Sequence, residues 1–432
     1  MGTKIPLKRE LGLFEVTLSG IGIILGAGIY ALIGRGAGLA GNALWLSFAI
    51  SASIAVLTGL SYAELSAMFP KAGAEYEYVK SALGQRVAFV IGWLIILSGI
   101  IGASAVSLGF AGYASGLAGT GPALAGIDHA LFAAGLVIGL SLLLTRGIKI
   151  SALFAVLFTL VEVAGLLLII AIGVPYLGKV DYLEMPLGFP GVLSGAALVF
   201  FAYIGFEDVV KLAEETREPE RNIPRGLLLA MAVSILLYIL VSVSAVSVAG
   251  WGALAASEAP FATVADRALG GGASLLISAI ALFATANTVL LMLLASSRIS
   301  YGMAEAGHLP GLFGYVHKTR GTPVWATFAV GAGACLFTLA GDIGFAAELT
   351  NFTLFLTFSV INASVILLRI RRPGMNRAFK VPGSIAGVPL LPAAGVVASV
   401  ALLTRLDFAV LGLGAVLVTL GSGYALVRVP RG

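Results

Sequence analysis

Residues 20–30 read GIGIILGAGIY and lie within an apolar run that extends from residue 12 to residue 34. A run of this length is sufficient to cross the hydrocarbon core of a bilayer as a helix. Glycine has a poor helix propensity and leaves the backbone amides unobstructed, so the segment Gly26-Ala27-Gly28 predicts an interruption of that helix. The glycines of this stretch also fit close helix packing, because Gly22 and Gly26 are four residues apart and form a small-xxx-small pattern. Both interpretations place this stretch inside a membrane.

The charge content of the chain excludes a soluble globule. Only 11% of the 432 residues are charged and 59% are apolar, whereas soluble domains carry about 25% charge. The single cysteine, Cys335, excludes an intrachain disulfide, and three scattered histidines do not form a structural zinc site. The net charge of +5 does not indicate a nucleic-acid partner, because the cations lie in the gaps between apolar runs. We therefore expect a lipid bilayer as partner, with no metal, cofactor or nucleic acid.

Twelve membrane-length segments lie between the charges. Nine contain no Asp, Glu, Lys or Arg: 36–63, 87–127, 185–206, 226–257, 268–297, 321–341, 349–368, 381–404 and 408–427. Three more contain or border an ionisable residue: 12–34, 129–145 and 151–174. Barrel strands would instead alternate in hydropathy over about ten residues. The sequence therefore predicts an all-α integral membrane protein with 12 transmembrane helices, in a single membrane domain, residues 1–432.

The distribution of cations predicts the orientation of the chain. With the N-terminus inside, 22 of the 26 Lys and Arg residues fall in cytoplasmic stretches, and the outer side receives Arg35, Lys179, Arg267 and Arg405. This asymmetry obeys the positive-inside rule, so we expect a multi-pass protein of the cell membrane with both termini in the cytoplasm. The basic stretch 369–380 is interpreted as an anchor on anionic lipid. Three further charged residues are expected to form ion pairs at the inner mouth: Glu64, Lys71 and Arg86.

A second stretch, residues 200–208, reads FFAYIGFED and carries a matching glycine, Gly205. Five predicted spans separate it from the first stretch, which is the offset that a repeat of five helices produces. Because five is odd, the second copy runs through the membrane in the opposite sense. Interrupted helices that meet at mid-membrane are typical of the binding sites of secondary transporters. No nucleophile or metal cluster lies within the predicted spans, so the pattern favours a carrier over an enzyme.

Four parts of the chain resemble motifs of permeases of the amino acid-polyamine-organocation family. They lie in span 1, after span 2, in and after span 6, and after span 10: Gly26-Ala27-Gly28-Ile29, Tyr62-Ala63-Glu64-Leu65 with 69–73, 201–208 with 213–225, and 377–383. The match covers essentially the whole chain. It implies a 5+5 inverted-repeat fold with discontinuous helices 1 and 6, in which residues 12–174 form helices 1–5 and residues 190–370 form helices 6–10. Residues 384–427 then form the peripheral helices 11 and 12.

The resemblance also implies an amino acid site where the two interruptions meet. It assigns the substrate carboxylate to the backbone at Gly26, Ala27 and Gly28, and the ammonium to the carbonyls of Ile24, Phe201 and Ile204. Phe201 is expected to act as an aromatic gate as well. In a low dielectric a zwitterion needs a partner at each end, and uncapped backbone supplies both without burying extra charge.

Two acidic residues within the spans are candidates for roles in transport. Proton-coupled relatives carry a lysine on the fifth helix where this chain has Glu162, so the lysine mechanism does not transfer. A carboxyl group in apolar surroundings has its ionised form disfavoured and is a candidate proton carrier; alternatively it ligates sodium together with Thr159, or bridges helices. Glu207 is assigned to the inner path, with an ion pair to Lys211 as the alternative, and Asp208 is expected to be solvated.

Polar residues of spans 3, 8 and 10 are candidates for the side-chain pocket: Ser104, Ser107, Thr285, Asn287, Thr288 and Asn351. The alternative is that they hold helices together by hydrogen bonds. Apart from Glu162 and Glu207, no acid is expected deep in the pocket to pair with a second substrate cation, so a neutral or small apolar amino acid is favoured over a dibasic one. The sequence thus predicts a secondary active transporter, not an enzyme, that takes up a neutral amino acid with protons by alternating access. An amino acid/polyamine (organocation) exchanger and a sodium-coupled carrier are the alternatives.

Overall fold

The computed structural model describes residues 9–71, 74–118, 125–146, 148–317, 320–339, 342–385 and 387–430. Its α-helices are α1 (Leu13–Ile24), α2 (Gly28–Ala40), α3 (Leu44–Met68), α4 (Ala74–Leu83), α5 (Gln85–Ala118), α6 (Ala125–Leu144), α7 (Ile148–Gly173), α8 (Gly188–Val199), α9 (Pro219–Ala249), α10 (Trp251–Ala255), α11 (Pro260–Leu269), α12 (Ala273–Glu305), α13 (Val324–Thr338), α14 (Ile343–Arg371), α15 (Leu390–Leu403) and α16 (Phe408–Arg428). Short 3₁₀ helices are Gly41–Ala43, Val174–Tyr176, Phe200–Tyr203, Phe206–Glu215 and Gly311–Gly314. Strands β1 (Ser384–Ile385) and β2 (Val388–Pro389) pair antiparallel, with Ser384 opposite Pro389 and Ile385 opposite Val388.

Eight segments of the described chain are long and apolar enough to cross a membrane: Gly28–Met68, Gln85–Leu117, Thr159–Tyr176, Gly188–Glu215, Pro219–Ala249, Ala273–Glu305, Ile343–Arg371 and Phe408–Arg428. Four shorter apolar helices accompany them: Leu13–Ile24, His129–Leu144, Val324–Thr338 and Leu390–Leu403. The predicted all-helical membrane architecture is confirmed at this level. The number of twelve crossing helices and the inverted repeat remain predictions.

The boundary between the first two predicted spans lies at a different residue from the one that the charge pattern indicates. The charge-free run begins at residue 36, but residues 36–40 complete α2, and α3 begins only at Leu44. Gly41 separates the two helices with a φ of 69°, a backbone conformation that glycine adopts without strain. A Cβ on this glycine would lie 2.5 Å from the carbonyl oxygen of Glu184. The helix end is therefore set by backbone conformation and packing, which the spacing of charges does not report.

The first glycine stretch is interrupted as predicted. α1 ends at Ile24, and the amide of Gly26 turns back to the Ile24 carbonyl at 2.7 Å instead of continuing the helix. α2 begins at Gly28, and helical hydrogen bonding resumes where the Ala31 amide donates to the Ala27 carbonyl at 2.9 Å. The break therefore leaves the end of one helix and the beginning of another close together within the apolar interior.

The second glycine stretch is interrupted as well. α8 ends at Val199 and is followed by the 3₁₀ helix Phe200–Tyr203. Gly205 then takes a φ of 116°, in the left-handed region that favours glycine, and the chain continues as the 3₁₀ helix Phe206–Glu215. The stretch is thus a change of helix type around one glycine rather than a continuous α-helix.

The two interruptions lie directly against each other. A Cβ on Gly28 would lie 2.8 Å from the Cα of Ala202, and a Cβ on Gly205 would lie 2.6 Å from the carbonyl oxygen of Ile23. Real Cβ atoms do not approach other atoms so closely, so each glycine permits one of the two contacts. The fold therefore brings together backbone segments that are about 180 residues apart in the chain.

Candidate functional site

A cavity of about 60 Å³ lies where the two interruptions meet. Both interruptions and α12 supply its lining: Gly22, Ile23, Gly26, Gly28, Phe201, Ala202, Ile204, Gly205, Asp208, Asn287, Thr288, Leu291 and Met292. Six residues that the sequence analysis assigned to the site are in this wall: Gly26, Gly28, Phe201, Ile204, Asn287 and Thr288. The structure thus gathers residues from both interruptions around one space and adds a face of α12.

The N-terminus of α2 forms one wall of the cavity at Gly28. The first amides of a helix have no intrahelical acceptor and carry partial positive charge, an arrangement that suits an anion. The amide of Ala27, predicted to bind a carboxylate, already donates to Oγ1 of Thr288 at 2.8 Å. The Thr288 hydroxyl keeps its own proton for a second hydrogen bond. Gly28 and Thr288 therefore lie together in the wall where α2 begins.

The three carbonyls predicted to accept from a cation differ in availability. The Ile24 carbonyl accepts from the Gly26 amide at 2.7 Å and from the Tyr238 hydroxyl at 2.9 Å, so both of its lone pairs are used. The Phe201 carbonyl accepts from the Ile204 amide at 3.3 Å, which leaves one lone pair. Phe201 and Ile204 both line the cavity, whereas Ile24 is not among its described lining residues.

The six polar candidates for a side-chain pocket divide into two groups. Asn287 and Thr288, on α12, line the cavity within the described part of the chain. Hydrogen bonds tie three others to backbone carbonyls: Ser107 to Ser104 (2.8 Å), Thr285 to Ala281 (2.7 Å), and Asn351 to Ala197 (2.7 Å) and Leu198 (3.1 Å). Ser104 is fully buried on α5 and is not among the described lining residues. Asn351 therefore stabilises the end of α8 beside the second interruption. This is the alternative role considered for it, in which it holds two helices together by hydrogen bonds.

Glu162 lies on α7 and is fully buried. Neither of its carboxyl oxygens has a hydrogen-bond partner among the described residues. Its backbone carbonyl accepts from the Tyr30 hydroxyl at 2.9 Å, which connects it to α2. Thr159, about one turn earlier on α7, accepts from Nδ2 of Asn287 at 3.3 Å. Because an unpartnered ionised carboxylate is costly in an apolar interior, this environment suits the neutral acid.

Glu207 and Asp208 lie in the first turn of the 3₁₀ helix Phe206–Glu215 and have different partners. Oε2 of Glu207 accepts from the Gly205 amide at 2.9 Å. Lys211, the alternative partner expected for Glu207, instead bonds Asp208 and approaches Oε1 of Glu75 at 4.0 Å. The Asp208 side chain remains 36% exposed, so it is ion-paired and still partly solvated, whereas Lys211 bonds Asp208 and not Glu207. The reason is the helix type, because a 3₁₀ helix aligns residues i and i+3 rather than i and i+4.

Two further cavities continue from the site toward one end of the molecule. A narrow cavity of about 50 Å³ shares Ile204, Asp208 and Met292 with the site cavity. A wide cavity of about 540 Å³ shares Glu75 and Lys211 with the narrow one. The ion pairs of Lys211 therefore lie at the constriction between the site and the wide cavity.

Three aromatic residues near the start of α2 contact one another: Tyr30, Tyr113 and Phe261. The Tyr113 hydroxyl donates to the Tyr30 carbonyl at 3.2 Å and accepts from the Phe261 amide at 3.4 Å. The rings of Tyr30 and Phe261 meet edge-on with centroids 5.0 Å apart. A separate cavity of about 380 Å³ includes His129 and Glu258 in its lining, and these two residues pair at 3.0 Å. Within the described residues, its lining has no residue in common with that of the site cavity.

A buried ion cluster joins α3 to α14 and the segment that follows it. Glu64 is fully buried, and its carboxylate bonds the Arg369 guanidinium through both oxygens. Nε of Arg377 approaches the same carboxylate at 3.2 Å, and the Val381 amide donates to it at 2.9 Å. The interpretation of residues 369–380 as a lipid anchor is therefore wrong for both arginines. The sequence carried no signal for this pairing, because its partners lie about 300 positions apart.

The other two charges expected in ion pairs at the inner mouth have separate surroundings. Lys71 approaches the carboxylate of Glu77 at 3.9 Å, and both side chains are partly exposed. Arg86 donates from Nε to the Val429 carbonyl at 3.0 Å and from a terminal guanidinium nitrogen to the Leu426 carbonyl at 3.3 Å, and these hydrogen bonds tie α5 to the end of α16. Of the three residues, only Glu64 forms a buried ion pair in the described structure.

Interrupted apolar helices around a small internal cavity define a multi-pass membrane protein of the transporter class. Residues 11–419 match the model of the amino acid permease family, and the chain belongs to that family. The resemblance to permeases of the amino acid-polyamine-organocation family is thereby confirmed.

Several relatives with known names are similar over most of the chain. The branched-chain amino acid permease BcaP of Bacillus subtilis is 35% identical over 401 residues, which cover 89% of this chain and 85% of that protein. The methylthioribose transporter of Bacillus subtilis is 34% identical over 406 residues, 89% of this chain and 86% of that protein. The vacuolar cationic amino acid transporter 4 of Arabidopsis thaliana is 32% identical over 386 residues, 85% of this chain and 64% of that protein. The chain is accordingly a transporter and not an enzyme.

Proposed function

We propose that this protein is a secondary active transporter that takes up a neutral amino acid with protons by alternating access. The cavity between the two interruptions carries the proposal, because one wall is a helix N-terminus and another presents backbone carbonyls. In secondary transporters, half-helix N-termini point at anionic groups and unwound carbonyls coordinate cations. An amino acid carries one group of each kind on neighbouring atoms.

The carboxylate is bound by the Gly28 amide and the Thr288 hydroxyl. Thr288 is oriented by the Ala27 amide, which occupies one acceptor position of its oxygen and leaves its proton free. Gly26 permits this arrangement, since a Cβ on it would lie 3.3 Å from Oγ1 of Thr288. The ring of Phe201, only 2% exposed, lies beside Gly28 and covers the bound substrate as a gate.

A neutral side chain fits the remaining wall. Ile23, Leu291 and Met292 supply apolar surface there. The acid in the lining, Asp208, is paired with Lys211 and therefore provides no free partner for a second substrate cation. The relative named as a branched-chain amino acid permease supports an aliphatic substrate, whereas the relative named as a cationic amino acid transporter motivates arginine as the comparison substrate.

The proposed cycle uses the predicted topology of twelve helices in the cell membrane, with inverted repeats in residues 12–174 and 190–370 and both termini in the cytoplasm. In that orientation the cavities beyond Asp208 and Lys211 open toward the cytoplasm, and the contact of Tyr30 with Phe261 closes the outer side. Alternating access then requires the outer contact to separate while the ion pairs of Lys211 close the inner path.

Proton coupling is assigned to Glu162. Its carboxyl group has no described hydrogen-bond partner, so a proton is the simplest means of neutralising it. The Tyr30 hydroxyl connects Glu162 to the helix whose N-terminus binds the carboxylate, and Thr159 connects the same face of α7 to Asn287 in the cavity wall. Loading of this acid is thereby linked to the geometry of the site.

Transport by purified protein in proteoliposomes tests the proposal. Labelled L-valine, L-alanine, L-arginine and methylthioribose are supplied in turn, each with an inward proton gradient, an inward sodium gradient or no gradient. We expect L-valine or L-alanine to accumulate under the proton gradient, and L-arginine and methylthioribose to remain outside.

Each other outcome corresponds to a different transporter. Uptake of L-arginine alone, or uptake that requires an organic cation inside the vesicle, would indicate an organocation exchanger. Accumulation under the sodium gradient alone would indicate a sodium-coupled carrier. Uptake of methylthioribose without any amino acid would contradict an amino acid substrate.

A further inference from the structure

Asn287 is a buried polar side chain in the wall of the site cavity. It lies on α12, is 1% exposed, and stands beside Thr288. The cavity lining places it with Phe201 and Ile204, whose carbonyls face a substrate cation in the proposed mode of binding. Asparagine has both donors and an acceptor, so the direction of its amide decides what it offers to a ligand.

The donor end of the Asn287 amide is occupied. Nδ2 donates to Oγ1 of Thr159 on α7 at 3.3 Å, which orients the amide. Oδ1 is buried and has no hydrogen-bond partner among the described residues. Leaving a buried acceptor without a partner is costly, and native proteins rarely do so. Oδ1 is therefore an acceptor whose partner is still to be supplied.

A count of donors and acceptors in the cavity indicates which ligand group would be the partner of Oδ1. A substrate ammonium has three N–H donors, as the ammonium of a lysine does. The Ile24 carbonyl is saturated by Gly26 and Tyr238, so only the carbonyls of Phe201 and Ile204 remain from the predicted set. Two acceptors leave one N–H without a partner in a water-poor site, where it is costly.

We propose that Oδ1 of Asn287 is the third acceptor for the substrate α-ammonium, and that Thr159 positions it. The inference rests on the proposed function, because it requires an amino acid substrate. It makes Asn287 a residue that distinguishes amino acids from carboxylates of the same shape. Asn287 thus recognises the amino group, rather than the side chain as the sequence analysis assigned it.

Ligand-dependent thermal stabilisation of the purified full-length protein tests this role. L-valine is compared with isovalerate, which has the same carbon skeleton and carboxylate but no amino group. Asn287→Leu keeps the branched shape of the side chain and removes the acceptor, so the apparent Kd of L-valine is expected to rise by roughly ten- to a hundredfold. The apparent Kd of isovalerate is expected to stay within about twofold, since no ammonium contact is lost.

Two further variants separate binding from packing. Asn287→Asp keeps an oxygen acceptor and is expected to retain L-valine binding while weakening that of isovalerate, because the added carboxylate repels an unbalanced anion. Ser297→Ala is the matched control, because Ser297 is buried on the same helix and bonds only the Leu294 carbonyl at 2.9 Å in the described structure. Ser297→Ala is expected to bind both ligands as the unmodified protein does.

The outcomes separate this inference from the proposed function. Unchanged L-valine binding by Asn287→Leu would overturn the inference, as would equal weakening for L-valine and isovalerate. If Asn287→Leu does not fold, the Asp variant decides: retained L-valine binding with weaker isovalerate binding supports the inference, and loss of both overturns it. Failure of the unmodified protein to transport any amino acid would instead refute the proposed function.

Discussion

Gly28 lies so close to Ala202 that a Cβ at position 28 would be 2.8 Å from the Ala202 Cα. The first interruption therefore rests on the backbone of the second, and neither side has a flexible side chain to move. Gly28→Ala must separate the two segments, and overpacking of this kind costs about 1–3 kcal/mol. We expect the initial rate of L-valine uptake in proteoliposomes to fall by at least roughly tenfold, because binding groups displaced by about 1 Å lose their geometry.

A helical glycine with open space around it is the control for this substitution. A Cβ on Gly139 of α6 would meet no atom within 4 Å, so Gly139→Ala is expected to transport at the unmodified rate. Normal uptake by Gly28→Ala would show that the two segments can separate without loss of the site. It would contradict the prediction that transport requires the direct contact of Gly28 with Ala202.

Thr288→Val tests the assignment of the carboxylate. The valine side chain keeps the shape but leaves the Ala27 amide without its acceptor and the substrate carboxylate without a donor. A hydrogen bond to a charged group contributes about 1.5–3 kcal/mol, so the KM for L-valine is expected to rise by roughly ten- to a hundredfold. Thr288→Ser restores the hydroxyl and is expected to restore the KM. A serine variant as impaired as the valine variant would argue against a role of the hydroxyl.

Glu162→Gln tests the coupling of transport to protons. Glutamine resembles the protonated acid but cannot titrate, so uptake is expected to become independent of the proton gradient while exchange of L-valine across the membrane persists. Uptake and exchange are measured in the same proteoliposomes, with Glu77→Gln, a partly exposed acid of α4, as the control. Gradient dependence that survives in Glu162→Gln would remove this residue from the coupling mechanism and leave the family and the cavity unaffected.

Glu75 provides a prediction for the pH dependence of stability. Burial raises the pKa of its carboxyl above the ordinary 4.5, and Lys211 offsets part of that effect. Between 4.5 and the raised pKa the folded state binds more protons than the unfolded state, so the contribution of Glu75 to stability falls as the pH rises through this interval. We expect Glu75→Gln to flatten the decline of the Tm above pH 4.5 relative to the unmodified protein. An unchanged slope would show that Glu75 does not contribute to it.

Arg377→Gln tests the buried cluster around Glu64. Arg377→Gln removes one of two guanidinium partners of the buried Glu64 carboxylate and leaves Arg369 in place, so the expected loss is smaller than the about 3–5 kcal/mol of a fully broken buried ion pair. The Arg377 side chain is only 8% exposed, so we expect a clearly lower Tm in detergent micelles. Arg372→Gln, at an exposed position of the same stretch, is expected to change the Tm little. Equal Tm values for the two variants would restore the lipid-anchor interpretation of Arg377.

Local chemistry determined the class of this protein and the position of its two interruptions. Hydropathy depends on each residue alone, and the conformational freedom of glycine at Gly26–Gly28 and Gly205 acts on its own peptide groups. Both features can therefore be predicted without knowledge of the fold. The family motifs then assigned the same backbone segments to the proposed binding site. These features needed no knowledge of which helices are neighbours.

Only the tertiary structure decided which polar groups remain free to bind. The Ala27 amide is occupied by Thr288, 261 positions away, and the Ile24 carbonyl by Tyr238, 214 positions away. In the same way Glu64 receives Arg369 from α14. The availability of a hydrogen-bonding group depends on atoms that folding brings within about 3 Å, and the order of residues along the chain carries no record of those distances.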